Sequence, residues 1–323
     1  MDRRTLLSTL GATAALAMTG TPASAAPEAT SGARVPSDAV LARSLGLRSA
    51  HAEVNGTRLH YVTGGTGSPL VLLPGWPQTW WEFNKVLPAL AKRHTVIAVD
   101  LRGMGGSAKP EGGYDKKTMA RDIHELIRRL GHRQADVAGH DIGAHVAYSL
   151  AANHPGTVRR LALLDGVHPE ESLYQFTLIP QPGQPFFPWW FAFNQVRGLP
   201  EQLIVGRFRV LVDYFCQLLL VDQGNINELA RSVYAHAYDN ADAIRAGNSW
   251  YQGWVQDIQD DKAYGPLEMP VLGLGASSTY HALLDYLPRK ARDQRVREIT
   301  GSGHFIAEEQ PGQVVAALTE FLR

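Results

Sequence analysis

Gly139-His140-Asp141-Ile142-Gly143 is the stretch that decides how this chain folds. Ala135-Asp136-Val137-Ala138 leads into it as a strand, and Gly143-Ala144-His145-Val146-Ala147-Tyr148-Ser149-Leu150 leaves it as a helix that stops at Asn153-His154-Pro155. Passing from strand to helix in so few residues needs a sharp turn, and the flanking glycines remove side chains that would block it. The apex residue is thereby pushed to the top of the sheet, and here it is Asp141. A serine at that point would need a base to take its proton before attack. An aspartate, with a pKa of about 4, is already ionised at neutral pH and can attack directly. That suits displacement at saturated carbon, forming an alkyl-enzyme ester that water then hydrolyses.

Working outward, the chain alternates strand and helix patterns. Leu59-His60-Tyr61-Val62, Leu70-Val71-Leu72-Leu73, Val96-Ile97-Ala98-Val99 and Arg160-Leu161-Ala162-Leu163-Leu164 read as strands. Helical spacing runs from Trp80 to about Arg93 and from Lys116 to Leu130, where Gly131 stops it. Strands apolar on both faces belong to a parallel sheet covered by helices on both sides. The rhythm breaks after about residue 168. Proline- and aromatic-rich turns (Pro180, Pro182, Pro185, Phe186, Phe187, Pro188) give way to helical periodicity over Leu203 to Val221, Asn225 to Tyr238 and Ala241 to Val255. Val271-Leu272-Gly273-Leu274-Gly275, Val296-Arg297-Glu298-Ile299 and a helix from about Gln313 to Leu322 then resume the alternation. The reading is one α/β core in two parts, 50–168 and 267–323, with a helical lid over 169–266. No internal repeat is present.

Thirty-one basic and 31 acidic side chains among 323 residues leave no formal net charge, which excludes an electrostatic case for nucleic acid or an anionic membrane. Cys216 is the single cysteine; in Tyr214-Phe215-Cys216-Gln217-Leu218-Leu219 it reads as a buried, inert thiol. No metal-ligand cluster or phosphate loop appears, so no cofactor or metal is expected. Residues 1–25 read as an export signal. Arg3-Arg4 precede an apolar stretch, Leu6 to Met18, and Ala23-Ser24-Ala25 offers a cleavage site. Paired arginines there resemble a twin-arginine signal, although Asp2 and Leu6 depart from that pattern. The alternative is a cytoplasmic enzyme with a polar tail. Residues 26–49 then read as a flexible N-terminal segment, and the mature protein has no expected membrane attachment.

Four stretches together carry a family resemblance: Pro74-Gly75-Trp76-Pro77, Asp100-Leu101-Arg102-Gly103-Met104-Gly105-Gly106-Ser107, Gly139 to Gly143, and Gly301-Ser302-Gly303-His304-Phe305. Over roughly residues 50–323 the chain resembles the α/β-hydrolase superfamily, and within it the epoxide hydrolase and haloalkane dehalogenase branch. The resemblance implies Asp141 as nucleophile and His304, after the last strand, as the base that activates the hydrolytic water. His140 is read as propping the elbow. Many relatives place the acid that orients the base after the strand at Val271 to Gly275, but Ala276-Ser277-Ser278-Thr279 follow here. Asp165, at the preceding strand end, is assigned instead of the more distant Asp285. The branch pattern usually begins with His where this chain has Pro74. Its backbone role implies the N–H groups of Trp76 and Ile142 as an oxyanion hole, and a cis Trp76–Pro77 bond.

The lid decides the substrate class. Epoxide opening makes an alkoxide, which needs hydrogen-bond donors and then a proton. Trp189-Trp190-Phe191-Ala192-Phe193 is similar to the branch's first donor segment, with tryptophan in place of His or Tyr. An indole N–H can polarise the oxygen but cannot act as an acid near neutral pH. The proton source is assigned to Tyr251, with Tyr238 as its rival. Trp189, Trp76, Phe187 and Tyr238 are read as substrate-lining, in a wide aromatic site for a bulky apolar or aromatic epoxide. Two readings compete. A dehalogenase would use the tryptophan pair for halide, but the halide Trp and the carboxylate-binding arginines of such enzymes are replaced by Ile142 and His145. A non-catalytic ligand-binding protein on the same fold would not need the Asp141, Asp165 and His304 set.

Overall fold

The computed structural model describes residues 35–179, 182 and 188–323. The expected export signal, and Phe187, lie outside these residues. The chain begins with α1 (Asp38–Ser44), then β1 (Arg48–Val54), β2 (Thr57–Gly64), β3 (Ser68–Leu73), α2 (Leu87–Leu90) and β4 (His94–Val99). It continues through α3 (Lys116–Arg129), β5 (Ala135–His140), α4 (Ile142–Asn153) and β6 (Val158–Leu164). Six helices follow: α5 (Trp189–Phe193), α6 (Leu199–Ile204), α7 (Phe208–Leu219), α8 (Glu228–Tyr238), α9 (Ala241–Gln252) and α10 (Trp254–Asp261). The closing elements are β7 (Val271–Gly275), α11 (Ser277–Lys290), β8 (Gln294–Glu298), α12 (Ile306–Glu309) and α13 (Pro311–Phe321).

One eight-stranded sheet runs in the order β1-β2-β4-β3-β5-β6-β7-β8. β1 and β2 are antiparallel to their neighbours, and every pairing from β4 onward to β8 is parallel. Leu70, Leu72, Val137, Ala138 and Leu163 in the central strands are fully buried, as strands covered on both faces must be. All six residues of β5 are buried, so the elbow at its end stands on a rigid base. Between β6 and β7 the described residues form no strand, only the helical insertion. None of the described helices is long and apolar enough to cross a membrane.

Several departures from the sequence reading have local causes. Part of the segment expected to be a flexible spacer forms α1, with Leu41 and Ala42 buried. The Asp38 carboxylate there accepts the Trp80 indole N–H at 2.8 Å. Asp38, His60 and Asp100 bring metal-ligating atom types within 4.8 Å of one another. Asp100 is, however, occupied by the Trp80 N–H at 2.9 Å, the Gly106 N–H at 2.9 Å and His60 Nδ1 at 2.7 Å, so the cluster is a hydrogen-bond network. The helix expected from Trp80 to Arg93 is broken into a 3-10 turn, Trp80–Phe83, and the short α2. Asn84 donates its side-chain N–H to the Trp81 carbonyl, and Pro88 supplies no N–H, so the helical ladder cannot run through. In the insertion, the helix expected over Leu203 to Val221 divides near Gly206, whose φ is 73°.

A buried ion pair pins the insertion to the core. Lys116 at the start of α3 is fully buried, and its ammonium donates to Asp257 Oδ2 at 2.8 Å and to the Trp250 carbonyl at 2.7 Å. The Lys116 N–H adds a bond to Asp257 Oδ1 at 2.6 Å. Removing one partner would strand an uncompensated charge in the interior. Asp257→Ala is therefore expected to lower stability by about 3–5 kcal/mol. The double variant Lys116→Met, Asp257→Leu should recover most of that loss in urea unfolding; a double variant as unstable as Asp257→Ala would contradict this account.

Candidate active site

Asp141 sits at the end of β5 with φ 47° and ψ −119°, a conformation that L side chains rarely adopt. The turn closes because Gly139 and Gly143 let backbone pass where side chains would collide: a Cβ on Gly139 would meet the Gly143 carbonyl, and one on Gly143 the Leu73 carbonyl. The result holds the Asp141 carboxylate up, 21% exposed, at the carboxyl end of the parallel strands. Its Oδ2 accepts the Trp76 N–H at 2.9 Å. The Trp76–Pro77 bond is cis. Ile142 is fully buried as the first residue of α4, so this position offers backbone but no polar side chain to the site.

His304 lies in the loop after β8. Its Nδ1 is 2.6 Å from Asp165 Oδ2, and its Nε2 is 4.0 Å from Asp141 Oδ1. A histidine held by a carboxylate at Nδ1 takes the Nδ1–H tautomer, which leaves Nε2 free as an acceptor facing the nucleophile. Asp165 follows β6 with φ 44°, and its other oxygen accepts the Ala276 N–H at 2.7 Å. The loop after β7 thus contributes a backbone donor to the acid rather than an acid of its own. Asp285 is exposed on α11, away from this assembly. The His304 N–H donates to the Leu219 carbonyl at 3.0 Å, tying the base loop to the end of α7.

The insertion roofs this dyad with rings. Trp76 meets Phe215, Tyr251 and Phe208 edge-on at centroid distances of 5.0, 5.6 and 6.4 Å. Tyr251 is buried, and desolvation pushes its phenol well above the ordinary range; the Asp141 charge adds to this, and a hydrogen bond from Trp190 opposes it. The phenol therefore keeps its proton and lies within the field of Asp141. Trp190 is buried against Phe215, with ring centroids 5.2 Å apart.

Two other candidates face elsewhere. The Trp189 indole N–H donates to the Tyr214 hydroxyl at 3.0 Å, so its donor is directed away from Asp141. Tyr238 is fully buried, stacks on Phe208, and gives its hydroxyl proton to the Gln78 carbonyl at 2.8 Å. Of these two candidate proton sources, Tyr251 is the one whose hydroxyl has no such carbonyl acceptor among the described residues. Phe187 lies outside the described residues.

Glu82 escaped the sequence reading, which noted His145 only as a position lacking an arginine. Glu82, 1% exposed, accepts the Gly75 N–H at 2.9 Å and lies 3.1 Å from His140 Nδ1. A carboxylate inside the aromatic run Trp80-Trp81-Glu82-Phe83 was the available signal. His145, one turn beyond Asp141 on α4, is buried and held neutral: desolvation lowers its pKa well below the ordinary range, and the charges of Lys116, His168 and His304 act in the same direction.

Comparison with known proteins agrees with this architecture. The family described as alpha/beta hydrolase fold matches residues 68–311. The chain is 36% identical over 282 residues to a soluble epoxide hydrolase of Corynebacterium sp. (strain C12), covering 84% of this chain and 95% of that protein. It is 29% identical to a fluoroacetate dehalogenase of Burkholderia sp., covering 86% and 94% respectively. A solved epoxide hydrolase structure without ligand superposes with a TM-score of 0.73 at 32% identity, covering 86% of this chain and all (100%) of that one. With the elbow, the dyad and the inserted helices on one mostly parallel sheet, the chain belongs to the α/β-hydrolase fold family, in the branch that holds these epoxide hydrolases and dehalogenases.

Proposed function

We propose that this protein is an epoxide hydrolase that converts a bulky apolar or aromatic epoxide to a vicinal diol through an ester on Asp141. The observation that carries the reading is the geometry around that carboxylate, a backbone N–H on one oxygen and a carboxylate-held histidine facing the other; the buried phenol of Tyr251, which keeps its proton and feels the Asp141 charge, supports it. In the first step Asp141 Oδ1 attacks an oxirane carbon, the C–O bond breaks, and the electron pair goes to the ring oxygen. Trp190 polarises that oxygen and Tyr251 gives it a proton. An alkoxide is a stronger base than even a buried phenolate, so the transfer runs toward the substrate. In the second step His304 Nε2 takes a proton from water, and the hydroxide adds to the Asp141 ester carbonyl. The Trp76 N–H stabilises the oxyanion; on collapse the leaving alkoxide takes the proton of the added hydroxyl, the diol departs from the regenerated carboxylate, and the proton held by His304 passes through water to the Tyr251 phenolate. The net change is addition of one water.

Asp165 orients His304 and stabilises the imidazolium formed in that second step. The edge-on rings of Trp76, Phe208, Phe215 and Tyr251 support an apolar or aromatic substrate. The soluble epoxide hydrolase relative supports the reaction class. Against the dehalogenase reading stand the apolar Ile142 and the neutral His145, which cannot hold a carboxylate by charge. The twin-arginine-like start supports export as the location.

Asp141→Ala is expected to abolish turnover, and His304→Gln to permit attack but trap the ester as a mass increment equal to the substrate. In single-turnover reactions in labelled water, solvent oxygen should enter Asp141 before it reaches the diol. Label appearing first in the diol would refute the covalent route, and halide release with inert epoxides would favour the dehalogenase.

Tyr251→Phe should slow ester formation by about 10²–10³-fold, the usual loss for one preorganised donor. Trp190→Phe should cost less, because it removes polarisation but leaves the proton source. Rapid-mixing measurement of alkylation rates decides this: equal, small losses would assign both residues to packing alone.

A further inference from the structure

Beneath the catalytic groups lies a second, fully enclosed charge system that the proposed chemistry does not use. Glu82 and His140 are each 1% exposed. Glu82 Oε2 accepts the Gly75 N–H at 2.9 Å, and Oε1 lies 3.1 Å from His140 Nδ1. On the other side of the ring, His140 Nε2 is 2.9 Å from the His304 carbonyl. Both ring nitrogens of His140 therefore face acceptors. A neutral imidazole has one N–H and would turn its bare nitrogen toward one of these oxygens; the imidazolium presents an N–H to each. A carboxylate buried with a single backbone donor likewise requires a positive partner. The Glu82 contact is an ion pair held by charge, since its alignment is poor for a hydrogen bond.

We propose that Glu82 is a positioning residue that keeps His140 as an imidazolium and thereby fixes the oxyanion loop and the base loop in one register. Gly75 precedes Trp76, whose N–H reaches Asp141, and the His304 carbonyl belongs to the residue whose ring faces Asp141. The packing is tight enough that a Cβ on Gly75 would lie 2.7 Å from Asp141 Cβ and 2.8 Å from His140 Nδ1. One buried pair thus spans the oxyanion loop, the elbow and the histidine loop. Burial opposes the charge on His140, but Glu82, with smaller help from Asp141 and Asp165, holds its pKa up at about 9. The remaining charged or titratable neighbours are the His304 ring, 4.6 Å from His140, and, around Glu82, the groups Glu308, Tyr234 and Tyr238. Lys85 offsets Glu308 at 3.5 Å.

The kinetic consequence rests on the ester chemistry proposed above. Hydrolysis of the ester needs the Trp76 N–H and His304 in register, whereas its formation does not need the base. A displacement of about 1 Å costs about 10²-fold in such a step. Glu82→Gln should therefore slow ester hydrolysis by up to about 10²-fold, with a smaller effect on ester formation, so that the ester accumulates. Glu82→Asp, which keeps the charge, should restore part of the rate.

The deciding measurement is a nitrogen-15 histidine NMR titration of the full chain, which needs no substrate. His140 should remain doubly protonated through neutral pH and titrate near 9 in the native protein, whereas in Glu82→Gln its midpoint should fall below that of free histidine. The stability sign follows: a histidine whose folded pKa is raised contributes fully below its unfolded value of 6.5 and loses that contribution as pH rises through about 9. Native unfolding midpoints should decline across that window, and the decline should be absent in Glu82→Gln. A native His140 that is neutral at pH 7, or a titration unchanged by Glu82→Gln, overturns the proposal, as does equal slowing of both steps in Glu82→Gln and Glu82→Asp. If Glu82→Gln does not fold, the native titration and Glu82→Asp still decide. Absence of any ester alongside the expected titration would overturn the proposed reaction and leave the Glu82–His140 assignment standing.

Discussion

Asp141 is held at φ 47° and ψ −119°, and the surrounding structure is arranged to keep it there. Such a conformation costs about 1–3 kcal/mol and persists only where its neighbours over-determine it. The restraints are identifiable. β5 is buried along its length, α4 begins at the next residue, and Gly139 and Gly143 admit backbone where any side chain would collide. The Asp141 N–H donates to the Leu164 carbonyl at 3.2 Å, which binds the apex to the neighbouring strand end. Asp165 at that same strand end carries a second positive φ, of 44°. Two strained aspartates on adjacent strand ends thus supply the nucleophile and the group that orients the base. Neither conformation would survive in an isolated segment, so the site forms only with the sheet.

The elbow and the sheet were legible because each leaves a mark in local sequence, and the dyad of Asp165 and His304 was legible through the family resemblance. Gly-x-Asp-x-Gly between an apolar strand and a helix is a local event, and the doubly apolar strands announce their burial. Asp165 was implied by the resemblance, because several members of the branch carry the acid at that strand end and no carboxylate follows Val271 to Gly275; the Ala276 N–H bond explains how that loop still takes part. Helix limits in the insertion were misread where one glycine or one side-chain bond breaks a period, as at Gly206 and Asn84. The fate of Trp189 could not be read, because its indole answers to Tyr214, 25 positions away. Tyr238 is similar: its hydroxyl serves Gln78, 160 positions away. Direction of a side chain is a tertiary property, and spacing does not encode it. Glu82 was missed for the same reason, its partners lying on the oxyanion loop and the elbow.

Charge is arranged by depth. The surface ion pairs, such as Arg121 with Glu125, are exposed and contribute little. The consequential charges are enclosed: Lys116 with Asp257, and Glu82 with His140. Glu308, under the site, is a third enclosed group; burial raises its carboxyl to about 7, against the Tyr234 hydroxyl and Lys85, which lower it. Tyr234 belongs to α8, so this group joins the insertion to α12 through a bond whose strength depends on the carboxyl's charge. Lys116 with Asp257 and Glu308 with Tyr234 join the core to the insertion, and Glu82 with His140 joins the turn after the oxyanion loop to the end of β5.

The bond from the His304 N–H to the Leu219 carbonyl joins the last catalytic loop to the final residue of α7. Gly303 packs so closely on that carbonyl that a Cβ there would overlap it. The inserted helices are therefore not an interchangeable module set on a finished core. Grafting them from a homologue, in order to change which molecules the site accepts, would also have to match the end of the incoming α7 to the Gly301 to Phe305 loop, or transplant that loop with it. Variation in the insertion and in the Gly301 to Phe305 loop is bound to travel together, and recombination breakpoints that separate them would yield chains that fold but misplace their histidine.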